Sequence, residues 1–243
     1  MSGERLAKVL AHLAGDAAAR GVTTSSEAAC EACVPLVGVS GAQLTLMNGM
    51  GRGESRYSTD GIGSQLENLR FTLGEGPCED AVRSGVPVLV AELDSWASHQ
   101  RWPLFSPAAA AAGAQALFAF PLRSGAIRLG ALVLHRTSQG PLSADQVYDA
   151  LVLADITMSL LLDELTRPHL GSELPPVDGM PLSRAEVHQA TGMLSVQMGV
   201  SMDEALVRLR AHAFAHDRSV IEVSRDIVAR RLRLSQEGWS DPR

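Results

Sequence analysis

Three Ser-x-x-Glu sequences stand 18 residues apart near the C-terminus, at Ser183/Glu186, Ser201/Glu204 and Ser219/Glu222. In such a capping box the serine hydroxyl accepts from the backbone amide three residues on. The glutamate reaches back to the serine's own amide, so two orphan donors of a helix N-terminus are satisfied. A regular trio therefore predicts three consecutive short helices. Leu182 and Val200, each one residue before a serine, are placed to staple onto Val187 and Ala205. The apolar periods agree: Val187, Ala190, Thr191, Leu194 and Met198, then Ala205, Leu206, Leu209 and Ala213, then Val220, Val223, Ile227 and Leu232. Gly199 marks the first stop, and the polar run 215–218 separates the last two helices.

Ala190-x-Gly192, Ala205, Leu209-Arg210, Ala213, Arg218 and the apolar third helix together resemble the ANTAR family of RNA-binding transcription antitermination domains. The resemblance covers the whole helical module. It implies binding to paired stem-loops with short loops in nascent messenger RNA. Carried over residue by residue, it assigns Thr191 and Gly192 to close approach to the loop, and Arg210 and Arg218 to phosphate or base contacts. Many members carry a lysine where this chain has Thr191. For Arg210 and Arg218 the plain alternative is a solvated helix face or a salt bridge to Asp217 or Glu222. Arg230, Arg231 and Arg233 are secondary candidates, because basic residues also favour helix C-termini.

Charge sharpens this reading. The chain of 243 residues carries a net charge of −6, yet residues 180–243 hold nine arginines against eight acids. The acidic remainder is poorly suited to nucleic acid. The near-neutral helical end must act through a local arginine face rather than bulk charge. Lys8 is the only lysine, so phosphate contacts fall to arginine, whose planar fork grips oxygens in pairs.

Four prolines and interspersed glycine between Thr166 and Pro181 mark a linker, giving domains at 1–166 and 182–236 joined by 167–181. Before it, Ser143 and Gln146 open a long helix to about Leu165, with Val147, Leu151, Ala154, Met158 and Leu161 along one side. That helix is either a core element or one that also offers a face to a partner. An N-terminal helix to about Arg20 places Leu6, Val9, Leu10 and Leu13 together. Strands are expected at Ala42–Met47, Glu54–Thr59, Val86–Glu92, Ala116–Leu122 and Leu129–His135, the last two joined by a turn at Arg123-Ser124-Gly125. An antiparallel hairpin there weakens a Rossmann reading. The phrases "LGEGPCEDAVRSGVPVLVAEL", "RWPLF" and "FPLRSGAIRLGALVLH", in that order before the long helix, resemble a GAF sensory domain. The resemblance implies an α+β fold with an antiparallel sheet flanked by helices, and a small-molecule or protein signal received in or near a pocket over the sheet.

Chemical candidates in this first domain are thin. Cys30 and Cys33 form a C-x-x-C on a predicted helix with no second pair to complete a zinc site. Cys78 lies near a helix start, where the dipole lowers a thiol's pKa, but packing is the simpler role. His99 and His135 read as hydrogen-bonding residues rather than haem ligands. Trp96, Trp102, Phe105, Phe118 and Phe120 are either core or pocket lining. With no Walker loop, zinc-protease motif or nucleophile elbow, no enzyme activity, cofactor or metal is expected. The whole is read as a cytoplasmic, homodimeric, signal-responsive RNA-binding antiterminator. The alternatives are a helix-turn-helix DNA-binding regulator and an adaptor without nucleic-acid activity.

Overall fold

The computed structural model describes residues 2–21, 23–47, 53–125, 127–166, 182–216 and 218–234. The chain separates into two compact units, Met1–Arg167 and Pro168–Arg243. The proline-rich segment 167–181 lies outside the described residues, as do Asp217 and the end of the chain.

The first unit is α+β. Its helices are α1 (Ser2–Arg20), α2 (Ser26–Cys33), α3 (Gly61–Leu73), α4 (Pro77–Ser84), α5 (Trp96–Arg101), α6 (Phe105–Ala111) and α7 (Ala144–Thr166). Its strands are β1 (Gly41–Met47), β2 (Gly53–Ser58), β3 (Val88–Val90), β4 (Ala116–Ser124) and β5 (Ile127–Arg136). They form one antiparallel sheet in the order β2-β1-β5-β4-β3. The expected strands all occur, but β3 is cut to three residues. It is an edge strand, bonded only to β4, and Pro87 before it has no N–H to donate. The β4–β5 hairpin closes between Ser124 and Ile127, one residue later than expected, after a register shift at Leu122/Arg123.

Alternation in the central strands divides the interior into two cores. Ala42, Leu44, Phe118, Phe120, Leu132 and Leu134 pack with α1, α2 and α7. Leu117, Ala119, Ala131 and Val133 pack with α3, α4 and the Trp102–Phe105 region. Period-two alternation puts successive residues on opposite faces, so both faces of β4 and β5 are buried. The backbones of β1 and β5 approach so closely that a Cβ at Gly130 would lie 1.9 Å from the Thr45 carbonyl oxygen. Helix α7 opens with the expected reciprocal box: Gln146 N donates to Ser143 Oγ (3.2 Å) and Ser143 N to Gln146 Oε1 (2.9 Å). Its inner face is Ala150, Leu153, Ala154, Thr157, Met158 and Leu161, while Leu151 is partly exposed. On α1 the buried stripe is Val9, Leu13 and Ala17, and Leu6 and Leu10 face solvent.

The second core contains a charged knot. Arg70 donates to Glu67 through Nε (2.9 Å) and Nη2 (2.6 Å), and reaches Glu79 through Nη1. The Thr45 hydroxyl donates to Glu67 Oε2 (3.0 Å), the oxygen that also accepts from Arg70 Nε. Burial opposes the Arg70 charge, but Glu67 more than offsets it and raises the Arg70 pKa. Breaking such a pair strands one buried charge. Arg70→Ala is therefore expected to destabilise this unit by about 3–5 kcal/mol, whereas joint replacement of Arg70 and Glu67 by apolar residues recovers most of it. Urea denaturation followed by the fluorescence of buried Trp102 measures both; equal losses in the single and double variants would contradict this account.

Candidate nucleic-acid interface

The second unit is all-α: α8 (Leu182–Met198), α9 (Met202–Ala215) and α10 (Val220–Val228) around one core. Helix α8 ends at Gly199 in the left-handed region (φ 64°), and Val200 N returns to Ser195 O. The three boxes expected from sequence differ in outcome. Ser219/Glu222 is complete, with both bonds at 3.1 Å, and the backbone amide of Ser219 holds the Glu222 carboxyl below its usual range. At Ser201 the hydroxyl caps Glu204 N (3.2 Å), but the Glu204 carboxylate turns instead to Arg208. At the first box, α8 begins at Leu182 and the Ser183 side chain lies outside the described ones. Glu186 is committed to Arg225 of α10 (2.8 Å).

The four residues assigned to RNA fall into different settings. Thr191 is a correction: it is fully buried, and its hydroxyl donates to Val187 O (2.7 Å), so it has no surface with which to replace a lysine contact. It belongs to the α8 stripe with Val187, Ala190 and Leu194. Gly192 lies on the other side of the helix, partly exposed, and a Cβ there would meet nothing within 4 Å. Exposed Gln189 and Val196 flank it at helical spacing. Arg210 is half-buried on α9 and engaged in interactions of its own. Arg218 is ion-paired, with a partner the sequence did not indicate. Its Nη2 lies 2.6 Å from Asp226 Oδ2, while Glu222 is turned back into its cap and Asp217 is outside the described residues. Asp226 also holds Arg231, Nε to Oδ1 at 2.9 Å. Arg218 first, then Arg231, keeps the Asp226 carboxyl below its usual range.

Two residues escaped the sequence reading. The His212 and His216 rings stack at 4.0 Å, His212 in the last turn of α9 and His216 at its C-cap, and the backbone N–H of Arg218 bonds to Ala213 O between them. Their i, i+4 spacing was the available signal.

In the first unit, Trp102, Phe105, Phe118 and Phe120 are core, whereas Trp96 is 78% exposed. Cys30 and Cys33 are wholly buried, and burial pushes the Cys30 thiol up to about 12. Cys78 is also pushed up to about 12 by burial, against the pull of Arg70, so desolvation outweighs the helix start. His135 is buried with Nε2 3.2 Å from Asp60, the N-cap of α3, and burial lowers its pKa despite that carboxylate. His99 lies 3.0 Å from Asp94. An open groove of about 320 Å³ runs between α1 and α2, lined by His12, Leu13, Asp16, Ala28, Glu31, Ala32 and Pro35. Among the described residues no group of three or more His, Cys, Asp or Glu side chains is arranged to hold a metal ion, and no helix is long and apolar enough to cross a membrane.

The first unit is thus an antiparallel sheet between helical layers and the second a separate three-helix unit. A GAF domain model matches residues 19–157 and an ANTAR domain model residues 181–228. The chain belongs to the GAF domain family and carries a C-terminal ANTAR domain. Similar solved structures include a domain of a two-component sensor histidine kinase protein from Sinorhizobium meliloti 1021 (14% identity, 58% of this chain and 90% of that one, TM-score 0.49). Others are the GAF domain of a phosphoenolpyruvate-protein phosphotransferase from Coxiella burnetii (11%, 67% and 95%, 0.48) and the GAF-B domain of DevS from Mycobacterium smegmatis (15%, 58% and 92%, 0.43). A comparison with curated proteins returned no match.

Glycine inside a helix costs about 1 kcal/mol relative to alanine, and nothing in this unit fills the space at Gly192. Gly192→Ala is thus expected to stabilise the helical unit by about 0.5–1 kcal/mol, seen as a raised helix-melting midpoint in circular dichroism. A destabilised variant would show that Gly192 answers an internal packing need.

Proposed function

We propose that this protein is a cytoplasmic, homodimeric regulator in which the GAF unit receives a signal and the ANTAR unit binds stem-loop RNA in nascent transcripts, causing antitermination. The observation that carries the reading is the occurrence, within the ANTAR-matched residues, of an open glycine face on α8, Arg210 on α9 and Arg218 between α9 and α10. Holding an antiterminator hairpin pair prevents the overlapping terminator hairpin from forming, so the chemistry is competition between RNA folds. Unpaired loop bases are the readable part, because the deep major groove of an A-form stem excludes side chains.

Gly192 admits close approach of the RNA backbone, with Thr191 acting from inside to hold that turn of α8. Arg210 and Arg218 supply charge-assisted contacts. Arg218→Ala and Arg210→Ala are each expected to weaken binding about ten-fold or more, from loss of about 1.5–3 kcal/mol, relative to an Arg243→Ala control. Titration of a two-hairpin RNA, its loop mutants and matched duplex DNA at several salt concentrations reads the effect. A phosphate contact flattens the salt dependence for all RNAs, and a base contact narrows discrimination against loop mutants. Preference for duplex DNA would instead support a helix-turn-helix regulator.

Two paired stem-loops call for two ANTAR units, and closed dimers are the commonest assembly. The outward Leu6 and Leu10 of α1 and Leu151 of α7 support a seam on the GAF unit. Sedimentation is expected to give a dimer at micromolar concentration; a monomer with and without RNA would sink this architecture.

A further inference from the structure

The His212–His216 pair stacks at the C-terminal end of α9. Its rings lie 4.0 Å apart at an interplanar angle of 29°. His216 Nδ1 is 2.8 Å from the His212 carbonyl oxygen, and a carbonyl only accepts, so Nδ1 carries the proton. That bond fixes the tautomer and the ring orientation and leaves Nε2 for an outside partner. His212 is half-buried beneath its neighbour, and His216 is exposed. Arg218 follows the pair closely, its backbone N–H donating to Ala213 O (2.9 Å), and its side chain is pinned by Asp226, which pins Arg231 on its second oxygen.

The surrounding charges are already committed. Asp226 serves two arginines, Glu222 caps Ser219, Glu186 pairs with Arg225 and Glu204 with Arg208. Asp203 is engaged elsewhere and lies nine residues before His212, roughly 13 Å along α9. A proton added to the imidazole pair therefore meets the charge of Arg218, while these carboxylates are committed to other partners. Consistent with that, burial first, then His216 and Arg218, lowers the His212 pKa. The arrangement suits an incoming anion. Face-to-face stacking, rather than convergence on a point, also argues against a metal pair.

Resting on the RNA-binding reading above, we propose that the His212–His216 stack is a platform for an unpaired nucleobase, with Arg218 holding the adjoining phosphate. Stacking on a flat ring tolerates any base, while the arginine supplies the charge that anchors its backbone. Protonation of the platform adds a cationic donor at the same spot, so RNA affinity rises as pH falls through and below the ordinary histidine range.

The test uses the full chain and a pool of two-hairpin RNAs with randomised loops, from which retained members are taken for anisotropy titration at pH 8 and pH 6. The wild type is expected to bind several-fold tighter at pH 6. His216→Ala should weaken binding about ten-fold, the scale of one lost base-stacking contact. His216→Phe, which keeps a flat ring, should hold near wild-type affinity at pH 8 but lose the gain at pH 6. Replacing the loop nucleotides by abasic ones should make wild type and His216→Ala equal. The wild-type pH profile and the abasic RNA need no variant to fold, and circular dichroism checks those that are used. If RNA is retained and His216→Ala binds as tightly as wild type at both pH values, or loses as much on abasic RNA as on intact RNA, the platform is refuted while the RNA-binding reading stands. If the wild type retains no RNA from the pool at either pH, both fall together.

Discussion

The buried contact between Arg70 and Glu67 is the constraint around which the GAF unit is organised. Glu67 and Arg70 both belong to α3, but Thr45 of β1 binds the same carboxylate and Arg70 extends to Glu79 of α4. One guanidinium thus ties two helices to the sheet through an Arg70–Glu67 pair almost wholly removed from water and a partly exposed Glu79. Removing a charge from water costs several kcal/mol, which the geometry here repays by satisfying both carboxylate oxygens. The space over this face of the sheet is consequently occupied by the chain's own polar atoms, together with Trp102 and Phe105. The same field explains Cys78: a thiol beside Arg70 is drawn toward ionisation, but burial and two nearby carboxylates prevail and keep it protonated.

The ANTAR unit treats charge in the opposite way, at the surface and in small balanced groups. Arg225–Glu186 joins α10 to α8, Arg208–Glu204 runs along α9, and Asp226 gathers Arg218 and Arg231. Exposed pairs of this kind add little stability. Their effect is to hold long side chains in place, so that less rotamer entropy is lost when an anion arrives. On the proposed RNA-binding function, a unit with little net charge would recognise nucleic acid by arrangement rather than by a broad positive field, which also limits non-specific attraction.

Much of this architecture was legible because it depends on short-range rules. Period-two alternation located β1, β2, β4 and β5, and Ser-x-x-Glu or Ser-x-x-Gln spacing located the starts of α7, α9 and α10, since a cap is made by residues three apart. The limits of that locality show at particular residues. Whether Glu204 completes its box depends on Arg208 competing for the same carboxylate. Val86 to Glu92 has strand composition, but only Val88–Val90 finds a neighbouring strand. Leu6 and Leu10 share a helical face with Val9 and Leu13, yet the packing of α1 buries only the latter pair.

The candidate site divides along the same line. The amino-acid sequence by itself determined the starts of α9 and α10, most of the apolar stripes, the glycine at 192 and the supply of arginine in place of lysine, because each is a property of neighbouring residues; it did not give the end of α10 at Val228, which leaves Leu232, expected on that stripe, outside the helix. The period already put Thr191 on the inner stripe of α8, against the RNA contact that the family resemblance assigned to it; tertiary packing sealed that stripe and left Gly192 open. Tertiary packing likewise chose Asp226 as the partner of Arg218. Arg218 stands just before the N-cap of α10 and Asp226 within that helix, a spacing that the i,i+3 and i,i+4 rules do not pair, so the encounter depends on where the Arg218 side chain is laid along the helix.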